Sequence, residues 1–249
     1  SATPAGLTIN SSTGEINPST STPGLYTVSY LVPASGACSS YFVSTTITIT
    51  PLPTVTATPS SESFCSGETT NIQLRSNVPG AVFSWTITGG NVVGASGGTG
   101  GAGTIINQLL TVSPGTTSTV SVTYSIVAEA NGCVGPATEV VVNVTPTPDV
   151  TVASGPSPIC SGSTTDISFT GTVPGTEFSW VVTNPIGITG ASNGTGTSIQ
   201  QVLTTTGLSQ GSVTYVITPM FNGCPGLSES VTVLVNPRPE VFADPTHPP

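Results

Sequence analysis

The sequence predicts an all-β protein made of tandem antiparallel β-sandwich modules in an elongated array. Three observations support this prediction. Val, Ile and Thr are abundant, and β-branched residues favour strands over helices. The 29 glycines and 23 prolines divide the chain into short segments, and many short strands joined by such turns are typical of a sandwich or barrel. A set of motifs also returns after about 95 residues, the length of one small sandwich domain.

The repeated motifs divide the chain into modules. Each repeat closes with an alternating apolar segment and a Pro-x-Pro linker, whose restricted backbone makes a semi-stiff joint. The repeats are Cys-Ser-Gly at 65–67 and 160–162, Phe-Ser-Trp at 83–85 and 178–180, and Asn-Gly-Cys at 131–133 and 222–224. The spacing predicts the C-terminal half of an immunoglobulin-like module at 1–51, whole modules at 52–146 and 147–237, and the first strand of a following module at 238–249.

Alternating apolar residues predict the strands of a whole module. For the second of the two whole modules, they lie at roughly 150–153, 166–170, 176–183, 198–204, 212–219 and 229–235. Six or seven short strands in one module fit the two-sheet sandwich of the immunoglobulin-like type. Trp85 and Trp180 occupy equivalent mid-strand positions, which predicts core aromatic residues and not sugar-stacking ones.

Several segments resemble a known family of modules. The segment 6–16 (Gly-Leu-Thr-Ile-Asn-Ser-Ser-Thr-Gly-Glu-Ile), the segment 24–30 and the paired Cys-Ser-Gly and Asn-Gly-Cys motifs carry the resemblance. They resemble the tandem Ig-like or PKD-like modules of very large Bacteroidetes surface proteins, such as gliding-motility adhesins of the SprB type that the type IX system exports. The resemblance covers the whole chain. It implies an extracellular filament attached to the outer membrane, carried by the motility and secretion machinery, and adhesion to surface polysaccharide or another substratum.

The scarcity of charge argues against several classes of partner. Charged residues make up 5% of the chain, the net charge is −9, and Arg75 and Arg238 are its two cations. A basic patch supplies the affinity of most nucleic-acid-binding proteins and of proteins that dock on anionic membranes. We therefore expect neither partner. Because the sequence has no lysine, Lys–Asn isopeptide bonds cannot form, and strand pairing and disulfides must supply mechanical strength.

Residues that could carry catalysis are few and scattered. His247 is the single histidine and lies among prolines, which predicts a linker residue, because a catalytic base needs a nucleophile and an orienting carboxylate. The acidic pairs nearest in sequence are Glu62/Glu68, Glu129/Glu139 and Glu240/Asp244. None of these pairs accompanies other chemistry, and neither a Cys-x-x-Cys motif nor a calcium loop occurs. We expect no enzymatic activity, no metal site and no cofactor.

Five cysteines at repeated positions predict disulfides and an oxidising compartment. Two pairings remain open. Within modules, Cys65 would pair with Cys133 and Cys160 with Cys224. Between modules, Cys65 would pair with Cys224, because the early and late cysteines of one sandwich lie at opposite ends of strands about 20 Å long, and bridged Cα atoms lie within about 7 Å. Cys133 would then bond to the start of the preceding module and Cys160 to a following one. The partner of Cys38 is expected outside the chain.

The segment 89–103 is rich in glycine, including Gly89, Gly97, Gly100 and Gly103. It lacks the Gly-Lys-Ser/Thr ending of a phosphate-binding loop, and no helix is predicted after it. We expect a mobile loop between strands, and loops of this kind can bind ligands.

These patterns predict a non-enzymatic repeat region of a large secreted bacterial protein, a stalk or adhesin filament for surface adhesion and gliding motility. Its expected partners are the neighbouring modules of the same chain. The alternative is a carbohydrate-binding accessory region of a secreted glycan-degrading enzyme, which would expose aromatic side chains on one module face.

Overall fold

Strands dominate the chain, as its β-branched composition predicts. The computed structural model describes residues 1–59 and 61–239. Within those residues, one short 3₁₀ helix at Pro18–Thr20 stands among strands, so the all-β prediction is confirmed. No helix in this described part is long and apolar enough to cross a membrane.

The N-terminal unit is a three-stranded antiparallel sheet. Its strands are β1 (Ala2–Thr3), β2 (Gly24–Val32) and β3 (Tyr41–Ile49). They lie in the order β1-β2-β3, and β2 and β3 form a long hairpin. The Tyr26 side chain is buried, and its hydroxyl donates to the carbonyl of Thr22 at 2.6 Å. This contact is typical of the tyrosine corner at the start of a late strand in immunoglobulin-like sandwiches.

The second unit is a two-layer sandwich. Its strands are β4 (Val55–Thr58), β5 (Ser61–Cys65), β6 (Glu68–Thr69), β7 (Ile72–Ser76), β8 (Val82–Gly89), β9 (Val92–Val93), β10 (Gly98–Gly100), β11 (Ile105–Ile106), β12 (Leu109–Val112), β13 (Val120–Ala130), β14 (Cys133–Val134) and β15 (Thr138–Thr145). One layer has the order β10-β8-β13-β15-β5, with β14 beside β13, and the other contains β11-β7-β4 and β6-β12-β9. The first stretch of the module thus contributes to both layers, because β4 pairs with β7 and β5 runs parallel to β15.

The third unit repeats this arrangement. Its strands are β16 (Thr151–Ser154), β17 (Ile159–Cys160), β18 (Ser163–Thr164), β19 (Ile167–Thr170), β20 (Glu177–Ile186), β21 (Ile188–Thr189), β22 (Gly194–Thr195), β23 (Ser198–Ile199), β24 (Val202–Thr205), β25 (Gly211–Phe221), β26 (Cys224–Pro225) and β27 (Glu229–Asn236). One layer has the order β17-β27-β25-β20-β22, and the other contains β16-β19-β23 and β18-β24-β21. As in the second unit, an early strand, β17, runs parallel to the last one, β27.

The central strands β13 and β25 show why these segments fold as they do. Val122, Tyr124 and Ile126 alternate with more exposed residues along β13, and all three are at most 2% exposed. Burial with a period of two is the pattern of a strand that packs one face on a core. Each such side chain contributes about 1.5–3 kcal/mol when it leaves water. The second and third units each have their own hydrophobic core.

The six strands predicted for the third unit match β16, β19, β20, the pair β23 and β24, β25 and β27. The short strands were not predicted, because segments of two residues carry no periodicity. The linker residue His247, the Glu240/Asp244 pair and residues 240–249 of the predicted strand at 238–249 lie outside the described residues.

The glycine-rich segment 89–103 was predicted as a mobile loop, and this prediction is wrong for the part of it that forms strands. It contains β9 and β10, and β10 pairs with β8 across Trp85 and Phe83. A side chain at Gly98 would collide with the Trp85 ring, so the glycines let this strand lie flat under the indole. The residues around Gly103 lie in a loop, and Gly103 and Arg75 line a shallow depression there.

Candidate functional site: the joint between modules

The Cys-Ser-Gly motif forms a turn that ties the two layers of its unit together. The amide of Ser66 donates to the carbonyl of Thr145 at 2.8 Å, at the end of the last strand. The Ser66 hydroxyl accepts from the amide of Val112 at 3.1 Å, and the amide of Gly67 donates to Leu110 at 2.8 Å, both in β12 of the opposite layer. Gly67 has a φ of 97°, a conformation that glycine adopts without strain. The turn therefore fixes Cys65 at the end of the module where the chain leaves it.

The same turn recurs in the third unit with the same bonds. The amide of Ser161 donates to Asn236 at 2.8 Å, and its hydroxyl accepts from the amide of Thr205 at 3.0 Å. The guanidinium of Arg238 closes over this turn, with Nε donating to the Ser161 carbonyl at 2.8 Å. Cys160 consequently occupies the position in the third unit that Cys65 occupies in the second.

A disulfide joins the second unit to the third. Cys65 is bonded to Cys224, with 5.5 Å between the two Cα atoms and a sequence separation of 159. Cys224 lies at the tip of the β25–β26 hairpin and is 4% exposed. The tip lies beside the linker, because this hairpin is at the end of the sandwich where the linker enters the third unit. We call this region the joint, comprising the turn 65–67, the linker 146–150 and the hairpin tip 222–226.

The pairing within modules is not formed in the structure. Cys65 ends β5 beside Thr145, at the exit end of its unit, whereas Cys133 lies in the hairpin at the entry end. The strands between them set the two cysteines too far apart to bond. The pairs Cys65–Cys133 and Cys160–Cys224 are therefore replaced by one bond between modules.

Glycines allow the linker to pack against the hairpin. A side chain at Gly226 would collide with the carbonyl of Pro148, and one at Gly135 would collide with the carbonyl of Pro53. Both glycines lie two residues after the late cysteine of their hairpin. Close backbone approach of this kind is a common reason for glycine in a strand or hairpin. The linker therefore packs against the hairpin in the same way at both boundaries between units.

Three cysteines have no disulfide among the residues the structure describes. Cys38 and Cys160 are exposed, and Cys133 is half-buried. The Sγ of Cys133 lies 3.8 Å from Oγ1 of Thr50. Thr50 occupies the position in the N-terminal unit that Thr145 occupies in the second, directly after the last apolar residue of the closing strand, and Thr145 pairs with Cys65. Cys133 therefore points to the place where the early cysteine of a preceding module would lie.

A polar contact ties the linker to the body of each whole module. In the third unit, Oδ1 of Asp149 accepts from the amide and hydroxyl of Thr172 at 2.6 and 2.9 Å. The bond from the backbone amide of Thr172 is the main cause that lowers the pKa of the Asp149 carboxyl below its ordinary value. In the second unit the roles are exchanged, since Oδ1 of Asn77 accepts from the amide of Thr54 at 2.7 Å.

The predicted core aromatics take part in a polar network that sequence reasoning missed. Trp180 is 7% exposed, and its Nε1 donates to the carbonyl of Ser192 at 3.1 Å. The Nε2 of Gln201 also donates to this carbonyl, and Oε1 of Gln201 accepts from the hydroxyl of Tyr215 at 2.9 Å. Thr165 completes the network, because its hydroxyl accepts from the amide of Gln201. Burial raises the pKa of the Tyr215 hydroxyl to about 12.

The second unit contains the same network. Trp85 is half-buried against the core, and it is joined by Ser96, Gln108, Tyr124 and Thr70 in the same pattern of bonds. Burial, with a smaller contribution from the charge of Glu62, raises the pKa of Tyr124 to about 12. The signal that could have revealed the network was the return of Thr, Gln and Tyr at the repeat spacing.

The acidic residues on either side of the turn 65–67 accept hydrogen bonds from backbone amides. Oε2 of Glu68 accepts from the amide of Cys65 at 3.0 Å, and Oε1 of Glu62 accepts from the amide of Asn71 at 3.4 Å. Across residues 1–59 and 61–239, no group of three or more His, Cys, Asp or Glu side chains could hold a metal ion. The joint therefore offers contacts and a covalent bond, and we find no arrangement of groups for catalysis in it.

The comparison with known families decides the assignment. The model of the PKD-like domain matches residues 62–148 and 157–239, more than half of the chain. The chain belongs to the PKD-like domain family. The second and third units are thus PKD-like modules, and the architecture that they share is the immunoglobulin-like sandwich described above. The search of curated proteins found no match to the sequence.

Solved structures of tandem β-sandwich modules are similar to this PKD-like chain at low identity. Fibronectin(III)-like modules of Clostridium thermocellum CbhA share 13% identity over 78% of this chain and 100% of that chain, with a TM-score of 0.31. Titin domains I67–I69 share 12% identity over 94% and 82% of the two chains, with a TM-score of 0.39. Mouse cadherin-23 EC22–24 shares 12% identity over 94% and 83%, with a TM-score of 0.38.

Proposed function

We propose that the chain is a non-enzymatic, cell-surface stalk of a large secreted bacterial protein, in which PKD-like modules space an adhesive region from the cell. The observation that carries this proposal is the joint. A disulfide, a close-packed linker and a polar tether all act at the boundary between two modules. A bond inside each module would stabilise that module without linking it to its neighbour. A protein that must hold its modules in line gains stiffness at each boundary.

The disulfide also supports a location outside the cytosol. Disulfides persist in oxidising environments outside the cytosol, and the described chain contains one between modules. The resemblance to type IX-secreted Bacteroidetes proteins extends the proposal to the outer surface of the cell, with gliding motility as the process and the motility machinery as the partner.

The shape of the oxidised chain in solution tests the stalk. Small-angle X-ray scattering should give a distance distribution with the long tail of modules placed end to end. Gly226→Ala should broaden that distribution, because the new methyl group collides with the carbonyl of Pro148. Gly207→Ala is the matched control, since no atom lies within 4 Å of a methyl group at that position. Modules packed side by side around one cleft would contradict the stalk.

Cell-surface work tests the adhesive part of the proposal. Antibodies raised against the chain should label intact cells of the source bacterium and hinder their attachment to glass. Labelling that appears only after the cells are broken open would contradict a surface location.

One observation favours the alternative of a carbohydrate-binding accessory region of a glycan-degrading enzyme. Tyr30 and Tyr41 are 66% and 58% exposed, and the register of β2 and β3 places them on one face of the hairpin. Exposed aromatic rings on one face can stack on sugars. Pull-down with insoluble polysaccharides tests this function. Tyr30→Ala should abolish the binding, whereas Phe42→Ala, on the opposite face and 72% exposed, should not.

A further inference from the structure

We infer that the bond between Cys65 and Cys224 is a covalent bypass that removes the bodies of both PKD-like modules from the path of a pulling force. The inference rests on the proposed stalk function, because a stalk that holds a cell to a surface is loaded along its length. It adds a mechanical role that neither the fold nor the family implies. The connectivity of the bond carries the inference.

A pulling force follows the shortest covalent route between the two points at which it is applied. From the N-terminal side that route reaches Cys65, crosses the sulfur–sulfur bond to Cys224, and leaves through β26 and β27. The separation of 159 residues between the two cysteines becomes a side loop that carries no tension. Without the bond, the same force must pass through the whole of each module in turn.

The bypassed loop contains nearly all of both hydrophobic cores. The strands from β6 to β25 lie between the two cysteines, and they supply the largest fully buried side chains of the two modules, among them Leu74, Tyr124, Leu203 and Tyr215. The strands on the loaded route are β4 and β5 on one side and β26 and β27 on the other. Tension therefore reaches only the first strands of one module and the last strands of the next.

The position of Cys65 makes the bypass effective. Cys65 is the last residue of β5 and lies beside Thr145, the last residue of β15. Tension enters β5 from the linker and leaves it at Cys65, so β15 and the chain from there to Cys224 are unloaded. Cys224 receives the tension at the entry end of the next module, directly opposite. The Cα atoms of the two bridged residues lie 5.5 Å apart.

Force–extension measurements on single molecules test the bypass. The 249-residue chain is held by handles at its two ends and stretched with its disulfide intact, and then in the presence of dithiothreitol. The bridged chain should not release the side loop. The reduced chain should release an additional contour length of about 520–570 Å, the extended length of the residues between the two cysteines.

Variants separate the bypass from other causes. Cys224→Ser should give the long trace without any reductant, and Cys65→Ser should do the same if Cys224→Ser fails to fold, because each removes the same bond. Cys160→Ser, at an exposed and unbonded cysteine, should leave the short trace unchanged. The additional length in untreated wild-type chains would show that the bond does not form in them and would overturn the inference.

The outcomes distinguish this inference from the proposed function. A short trace would support the bypass, even if the chain formed compact particles and did not label the cell surface. Those last two results would contradict the stalk function. A long trace from untreated, elongated particles would contradict the bypass and leave the stalk function supported.

Discussion

Removing the disulfide should uncouple the thermal unfolding of the two PKD-like modules. When one module of the bridged chain unfolds, the folded neighbour still holds the two ends of the unfolded segment together at the joint. The unfolded segment is then a closed loop of roughly 80 residues, and the chain-entropy relation gives a penalty of about 4.5 kcal/mol at 25 °C. When both modules unfold, the loop spans the full separation of 159, and the penalty is about 5 kcal/mol.

These magnitudes imply cooperation between the modules. Unfolding of the first module carries almost all of the loop-closure penalty, whereas unfolding of the second adds only about 0.5 kcal/mol to it. The penalties for unfolding each module alone add up to about 4 kcal/mol more than the penalty for unfolding both together. This difference is the coupling free energy that the bond creates. A bond within each module would stabilise each module but would create no coupling.

Differential scanning calorimetry measures this coupling. The bridged chain should show both modules unfolding in one transition, with a van't Hoff enthalpy close to the calorimetric enthalpy of both. Cys65→Ser should split the transition and lower its midpoint by more than about 10 °C. Cys160→Ser, the control, should leave the thermogram unchanged. Equal thermograms for Cys65→Ser and the bridged wild type would refute the reasoning, as would a single coincident transition in the variant.

Three further predictions concern single side chains. Tyr215→Phe removes the hydrogen bond to Oε1 of Gln201, which still accepts from the amide of Ser192. The substitution should destabilise the module by about 0.5–1.5 kcal/mol in urea titrations. It should also flatten the fall in stability above pH 10, because the unfolded tyrosine ionises there but the folded one, with a pKa of about 12, does not. Gly194→Ala places a methyl group against the Trp180 ring and should cost about 1–3 kcal/mol with a change in tryptophan fluorescence, whereas Gly207→Ala should be neutral. The lowered pKa of Asp149 means that its stabilising contact is present above the ordinary carboxyl pKa and is lost as pH falls through the folded value, so Asp149→Asn should flatten the acid limb of the urea midpoint between about pH 5 and pH 2.

The fold could be predicted because its signals are local and repeated. Val and Thr at alternate positions predict strands such as β25 and β27, and the return of Cys-Ser-Gly and Phe-Ser-Trp at one spacing fixes the module length. The same pattern favoured disulfides but did not decide between pairing within modules and pairing between modules. The pairing depends on where a hairpin tip lies relative to a turn in another module, and the sequence carries that information only through topology.

The polar features of the modules could not be predicted in the same way. The sequence pattern does not single out Gln201 and Thr165, because their burial depends on a partner such as Tyr215 across the sandwich. The linker tethers are hidden for another reason. Asp149 accepts from Thr172 in one module and Asn77 accepts from Thr54 in the other, so the donor and acceptor have exchanged places and the residues no longer match in the repeat.

Mapping the disulfide in the unreduced chain tests the central claim most directly. Cleavage after glutamate separates the cysteines, because Cys65 falls in the fragment 63–68, Cys133 in 130–139, Cys160 in 140–177 and Cys224 in 178–229. Mass spectrometry should find the fragment 63–68 joined to 178–229, and reduction should release both. The fragment 63–68 joined to 130–139, together with 140–177 joined to 178–229, would show that each module closes on itself and would contradict the joint as the functional feature of this chain.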